Sequence, residues 1–348
     1  MDFAFDEQQL ALQDLAKQVF RGSEASAVWQ ALARAQLLGV AMPADLGGSG
    51  LGLVELCLLL EQAGDAASPA PLLPALAMAA LPIAKFGTKA QAAALLPPLL
   101  QGDSLLTAAL VGSGVPVSAK RAGSGYVLEG TRECVPALEG ASRVLVPALT
   151  PEASLSLFLV DPNGPGVTTE RQIGTNEEVF GRLTFAGAPG ELLGDAASGS
   201  AILDWTIERA TVAQCALELG IVQRALIMTA KYASERQQFN RPIGSFQAVA
   251  QRAANAYVDV EAIRLTVFRA AWLLDQDRDA RREVAVAKLV AAEAGHRVVC
   301  AAQHIHGGVG FDREYPLYRY FLASKQNEFT LGSASEHAAR LGRLLAED

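Results

Sequence analysis

Four histidines and four cysteines are the metal-ligating and nucleophilic stock of this 348-residue chain. The cysteines, Cys57, Cys134, Cys215 and Cys300, lie far apart and form no C-x-x-C pair. They read as small buried hydrophobes in a reducing compartment, not as a zinc site or a disulfide frame. His304 and His306 stand close together, but their spacing does not suit one helix face. No nearby carboxylate or cysteine completes a ligand set, so no metal centre is expected. What remains is acid–base and hydrogen-bonding chemistry. Glu208, taken alone, is an ordinary helix-surface carboxylate near a helix start, where negative charge is mildly stabilising. Arg236 alone is a solvated cap after a helix, and Gly307-Gly308 alone is a turn. Each gains a sharper meaning from the strings around it.

The elements that must position these residues fall into three stretches, 1–108, 109–200 and 201–348. In the first, Phe5 to Phe20 carries apolar residues at Leu10, Leu12, Leu15 and Val19, close to helical spacing. Trp29 to Leu38 and Leu53 to Ala63 are further helices, joined by the glycine-rich connector AMPADLGGSGLG. From Leu105 to Ser200 short runs (YVLEG, SRVLVPAL, LSLFLV, GVTTE, GRLTF) are bounded by Gly, Pro, Asp and Asn, the pattern of a small β-domain. After Ile202 three long apolar stripes return, and a shorter helix from Ala334 to Leu345 completes a four-helix arrangement. The fold class expected is α+β, mainly α.

Hydrophobic residues are 51% of the chain and charged residues 19%, which excludes intrinsic disorder. A formal charge of -8 argues against a nucleic-acid groove. The N-terminal MDFAFDEQQL has no positive and no apolar region, so no secretory signal is expected. The uncharged stretch Ala66 to Ala84 approaches a membrane span in length but is interrupted by Pro69, Pro71, Pro74 and Pro82. It is expected to be a buried helix, and the protein to be cytoplasmic, with no membrane span.

Three strings now point one way. ERQQFNRPIGSFQAV (Glu235 to Val249) resembles the R-x-x-F-G-x-P-I-x-x-F-Q signature of acyl-CoA dehydrogenases, with Asn240 in place of its glycine. QHIHGGVGFDREYPLYRY (Gln303 to Tyr320) resembles that family's Q-x-x-G-G-x-G segment followed by E-Y-P. VAMPADLGGSGLGLVELCLLLEQAG (Val40 to Gly64) is similar to its P-x-x-x-G-G-x-G-x-x-x-x-E stretch. They come in the family's order and span nearly the whole chain. More loosely, the C-terminal strings are similar to short subunits from bacterial steroid and side-chain degradation, several of which work as two unlike chains.

The resemblance implies a tetrameric FAD flavoprotein, homo- or hetero-oligomeric, that acts on an acyl-CoA thioester and passes electrons to an electron-transfer flavoprotein. It implies that bundle helices of one subunit reach the FAD of its neighbour. Arg236 then contacts the diphosphate, where a guanidinium makes paired, charge-assisted hydrogen bonds. Gly307 and Gly308 let the backbone approach the adenosine side. Phe239 packs by the flavin, and Gln247 offers an amide to its polar edges. The family's glutamine position holds His304, with Gln303 one step earlier, and either is a candidate contact.

Other family features are altered. The flavin-lining T-E-x-G-x-G-S-D corresponds to LVGSGVPVSAK (Leu110 to Lys120), where Ser113 and Ser118 are the remaining hydroxyls. W-I-T-N corresponds to ECVPALEGASRV (Glu133 to Val144), without the tryptophan and threonine. The glutamate that many members place before a Gly-Thr is Leu331 here, and Glu336 lies five residues on. Another branch carries its base on the first long bundle helix in L-E-R, similar here to Ile207-Glu208-Arg209, which makes Glu208 the candidate base and Arg209 a structural ion-pair partner. Ala210, Ala213 and Ala216 either leave room for a bulky acyl group or simply pack helices. Three functions stay open: an active dehydrogenase, a non-catalytic chain that completes a paralogue's FAD site, and a helical scaffold without flavin.

Overall fold

Asp6 opens the first helix by accepting a hydrogen bond from the Gln9 amide while the Gln9 side chain accepts from the Asp6 amide, a reciprocal cap that fixes the helix start. From there the chain runs through α1 (Glu7–Gly22), α2 (Val28–Arg34), α3 (Leu53–Asp65), a π-helical segment Leu73–Ala80 that passes into α4 (Leu81–Phe86), and α5 (Lys89–Leu100). Strands β1 (Leu105–Ala108), β2 (Ser118–Ala122), β3 (Gly125–Pro136), β4 (Ala141–Leu149), β5 (Leu155–Val160), β6 (Val167–Ile173) and β7 (Val179–Leu193) follow. Then come α6 (Gly199–Glu235), the hairpin of β8 (Gln237–Gln238) and β9 (Arg241–Pro242), α7 (Gln247–Asp275), α8 (Arg281–His306), α9 (Leu317–Phe329) and α10 (Ala334–Ala346). The computed structural model describes residues 4–112, 115–123, 125–152 and 154–347. The chain divides into two compact units: Met1–Ser23 with Leu53–Ser68 and Thr211–Asp348, and Glu24–Gly52 with Pro69–Ala210.

The first unit is helical. Asp275 at the end of α7 caps α3, accepting from the amides of Leu53 at 2.7 Å and Val54 at 2.9 Å. Arg264 on α7 donates to Glu61 at 3.1 Å and to Gln223 of α6 at 3.0 Å, and Arg224 of α6 pairs with Asp65. These pairs bolt α3 into the bundle. The crossing of α3 and α6 is closer than side chains allow. A Cβ on Gly64 would stand 2.1 Å from the Leu217 carbonyl oxygen, and one on Gly220 only 1.9 Å from that of Glu61. Glycine is required at both positions. The α9 helix, which the sequence reading passes over, binds here through Tyr320, whose hydroxyl donates to the Asp65 carbonyl at 2.9 Å.

In the second unit the five apolar runs become β3, β4, β5, β6 and β7, as expected. Around the sheet β4, β2, β3, β7 and β5 are neighbours in turn, and β5 pairs with β4 again, so those five strands close on themselves. Closure leaves them no open edge. Phe158, Leu128, Val144, Val146 and Leu183 fill the interior. β1 adds in parallel to β4, and β6 adds antiparallel to β7.

In the uncharged stretch Ala66 to Ala84 the first residues, 66–71, are not helical, and from there a buried π-helical segment, Leu73–Ala80, runs on into α4 as the expected buried helix. Among the described residues one helix, Ala196–Glu235, is long and apolar enough to cross a membrane by length and composition. Two thirds of its most apolar window (67%) is buried in the protein, as a core bundle helix requires.

Candidate functional site

The end of α6 turns back through a two-residue loop. Arg236 continues the helix, its amide donating to the Tyr232 carbonyl at 2.8 Å, and Gln237 and Gln238 then pair with Pro242 and Arg241. At the tip Phe239 and Asn240 have φ of 55° and 62°. A tight hairpin needs two left-handed residues there, and asparagine tolerates that region where most side chains do not. This explains why Asn240 can replace the family's glycine. Phe239 takes the same conformation at a steric cost and is 88% exposed. Its ring meets Phe246 edge-on, centroids 6.2 Å apart, and the Arg241 guanidinium lies 4.1 Å over the Phe246 ring. Arg236 is exposed, and its guanidinium makes no hydrogen bond or ion pair among the described residues. Gln247, the first residue of α7, is exposed as well.

The second part of the site is the end of α8. Gly307 has φ 61° and ψ -138°, a conformation essentially confined to glycine. Gly308 faces open space, with nothing within 4 Å of an added Cβ. The two candidates beside them separate clearly. Gln303 is 6% exposed and turned inward beneath Gly310, where a Cβ would meet its Oε1 at 2.2 Å. His304 faces solvent next to Gly307. Gly310 is therefore a packing glycine, and His304 is the side chain available at the surface.

An aromatic stack joins the two parts. Tyr232 lies flat on His306, ring centroids 4.3 Å apart, and Tyr315 closes the group at 5.2 Å from His306. Nδ1 of His306 donates to the Ala302 carbonyl at 2.9 Å, so Nε2 accepts from the Tyr315 hydroxyl at 3.1 Å. Burial lowers the pKa of His306 and keeps the ring neutral. Arg236 and Gly307 are thus held on either side of one rigid core. Arg236, Phe239, Gln247, His304, Gly307 and Gly308 all belong to the helical unit and are all exposed. Unpaired cationic charge, exposed aromatic surface, amide and imidazole donors, and a glycine-only backbone suit a large anionic, planar cofactor such as a flavin dinucleotide.

Glu208 belongs to the other unit. It is half-buried, and α6 begins at Gly199, so Glu208 lies beyond the first turn and the helix dipole gives it no special stabilisation. Next to it the Arg209 guanidinium stacks 3.9 Å over Trp205, which packs edge-on against Phe86. Ala210, Ala213 and Ala216 are fully buried.

Leu331 is 8% exposed with φ 58°, and its carbonyl accepts from His337 Nε2 at 3.0 Å. Glu336 is a cap for α10. It accepts from the Ser333 amide at 2.6 Å and hydroxyl at 2.8 Å, and the Ser333 amide is the main cause of a pKa below the usual carboxylate range. Its hydrogen bonds are those of a helix cap.

In the β-unit the Ser118 hydroxyl makes, among the described residues, a long contact of 3.5 Å to the Glu129 carbonyl, and Ser113 lies outside them. Cys134, in the stretch that matches the family's W-I-T-N, is exposed with φ 53° at an irregularity of β3. Two further features were not read from the sequence. Arg132 is buried, with Nη2 on the Pro147 carbonyl at 3.0 Å and no carboxylate partner among the described residues; burial lowers its pKa. In the bundle Glu218 is buried, accepting from Ser324 at 2.5 Å and Asn327 at 2.9 Å, while Lys288 and Gln214 both donate to the Asn327 carbonyl. Partners this far apart in the chain leave no local sequence signal.

Known proteins share the whole architecture. Two family models match the chain: acyl-CoA dehydrogenase, N-terminal domain, over residues 5–103, and acyl-CoA dehydrogenase, C-terminal domain, over residues 197–345. The acyl-CoA dehydrogenase FadE27 of Mycobacterium tuberculosis is 41% identical, over 92% of this chain and 88% of that protein. The benzylmalonyl-CoA dehydrogenase of Aromatoleum aromaticum is 32% identical over 97% of each. Among solved structures, the ChsE4-ChsE5 complex from Mycobacterium tuberculosis contains a chain 38% identical with a TM-score of 0.94 over 100% of both. The Tcur3481-Tcur3483 steroid ACAD variant gives 41% and 0.92 over 98% of both.

Proposed function

The chain belongs to the acyl-CoA dehydrogenase family, and from that premise we propose that it serves FAD-dependent α,β-dehydrogenation of an acyl-CoA thioester as one subunit of an oligomeric flavoenzyme. The observation that carries this reading is the outward-facing set on the helical unit, with Arg236 lacking any acidic partner among the described residues and Gly307 in a glycine-only conformation. Such a set serves a cofactor presented from outside that unit, as in a tetramer of like or unlike chains. Arg236 holds the diphosphate, Gly307 and Gly308 allow close approach, His304 and Gln247 donate hydrogen bonds, and Phe239 covers the ring system. A bound FAD would supply the acceptor for the β-hydrogen as hydride. Glu208 takes the α-proton. A steroid-type acyl group and an electron-transfer flavoprotein acceptor complete the reading, the former supported by the likeness to the steroid ACAD subunits.

Two observations favour a second reading, in which the chain completes a paralogue's site without performing the proton abstraction itself. Leu331 is buried where many members carry a carboxylate, and the stretch that matches W-I-T-N lacks the tryptophan. The visible absorbance spectrum of the purified chain tests both. Bound flavin in the chain alone supports an active dehydrogenase. Colourless protein that becomes yellow only with a co-expressed dehydrogenase subunit assigns catalysis to that subunit. Colourless protein in both settings overturns the FAD reading.

A further inference from the structure

The pairing along one side of β4 is interrupted, and a buried cation stands in the gap. β1 accompanies β4 as far as Leu145, whose carbonyl accepts from the Ala109 amide at 2.8 Å. β2 joins the same side of β4 at Leu149, whose amide donates to the Val117 carbonyl at 2.8 Å. Backbone groups two residues apart on a strand face the same neighbour, so the Pro147 carbonyl also faces this side, between the two strands. Proline has no N–H to leave unpaired there. The carbonyl takes its donor from a side chain instead, Nη2 of Arg132 on β3 at 3.0 Å.

That is the one hydrogen bond of the Arg132 guanidinium among the described residues. The residue is 8% exposed, and its Nε is buried without a partner. Other inward-turned arginines are satisfied: Arg264 pairs with Glu61, Arg224 with Asp65, and Arg209 lies over the Trp205 ring. The acids of β3 itself are taken, Glu129 by Lys120 and Glu133 by Arg182, each at 2.9 Å. A buried guanidinium with no counter-charge is costly, and a native structure keeps one where a ligand supplies the charge. A way in exists at Gly112, which is exposed. A Cβ there would stand 3.0 Å from Nη1 and 3.2 Å from Cδ of Arg132. The Gly112 backbone is not left-handed, so what favours glycine is the room over the guanidinium.

We propose that Arg132 is an oxyanion-binding site in the β-unit, taking a phosphate group of a nucleotide ligand that arrives past Gly112. A guanidinium makes paired, charge-assisted hydrogen bonds to phosphate oxygens, and the bound anion supplies the charge that the fold itself does not. This site is distinct from Arg236, which is exposed and belongs to the helical unit. Two ligands of the proposed function carry phosphates, FAD and coenzyme A. The choice between them rests on that function; the anion site rests on the β-unit alone.

The test is calorimetric titration of the full chain with inorganic pyrophosphate at constant ionic strength, in an Arg236→Ala background so that the exposed guanidinium does not contribute. Arg132→Met is expected to raise Kd about tenfold or more. Gly112→Ala, which leaves the charge in place and puts a methyl over Nη1, should weaken binding as well, and it reads the site even if Arg132→Met folds poorly. Neither change should lower the melting temperature of the anion-free chain, since one removes an uncompensated buried charge and the other lies at the surface. FAD and coenzyme A are then titrated with Arg236 intact, and the nucleotide whose affinity falls with Arg132→Met is the source of the phosphate. Pyrophosphate binding that depends on Arg132 while neither nucleotide is affected keeps the anion site and overturns the nucleotide assignment. Pyrophosphate held no better than chloride, or an affinity indifferent to both substitutions, overturns the proposal.

Discussion

Tyr232 on α6 stacks against His306 at the end of α8, with the ring planes inclined by only 21°. The pair couples two signature segments some seventy residues apart, because Arg236 follows one ring by a turn and Gly307 follows the other directly. Removing the stack should loosen both together. Tyr232→Ala is expected to cost about 1–3 kcal/mol in urea unfolding. Hydrogen exchange should rise both at 236–242 and at 307–311; a rise confined to one segment would contradict the coupling.

His306 and His337 give the fold an acid-sensitive side. Burial is the leading cause of a lowered pKa at each ring. The unfolded chain therefore takes up protons first as pH falls through about 6.5. The stability tied to the neutral rings is complete above that value and is lost as pH drops towards the folded-state pKa. Melting temperature is expected to fall between pH 7.5 and pH 5.5, measured at constant ionic strength. His306→Gln, uncharged throughout, should shrink that fall.

Arg236→Ala should release flavin without unfolding the protein. A charge-assisted phosphate contact is worth about 1.5–3 kcal/mol, tenfold or more in affinity. The side chain has no partner to lose among the described residues, so the melting temperature of the flavin-free chain should not move. Flavin content unchanged after exhaustive dialysis would remove Arg236 from the cofactor site.

Glu208→Gln decides whether this chain supplies the base. Size and hydrogen-bonding capacity are kept while the proton acceptor is lost, so turnover should fall about 10²–10⁴-fold with acyl-CoA binding retained. Anaerobic bleaching of the flavin by substrate reports the chemical step directly. Bleaching at the parent rate would assign the base to another chain.

Much of this was legible from local pattern. The β runs were readable because hairpin strands are set by neighbours a few residues away, and Arg236, Phe239 and Gly307 could be singled out as candidates because they sit in compact strings. Helix α9 was not, since Ser324 and Asn327 are buried to satisfy Glu218, more than a hundred residues earlier. Nor could the choice between Gln303 and His304 be read, because the close approach of the Gly310 backbone decides which of the two turns inward. The start of α6 at Gly199 likewise removed the helix-end reading of Glu208, which depended on where the strand unit stopped.

The close crossing of α3 and α6 has a practical consequence for genetics. A single methyl group at position 220 meets a backbone carbonyl, which cannot swing aside as a side chain can. Gly220→Ala should therefore wedge two helices apart while leaving every reactive group in the molecule chemically intact. That is the profile of a temperature-sensitive allele: a strain carrying it should grow on the relevant substrate when cool and fail when warm. It would allow the timing of this protein's requirement to be studied without touching its chemistry.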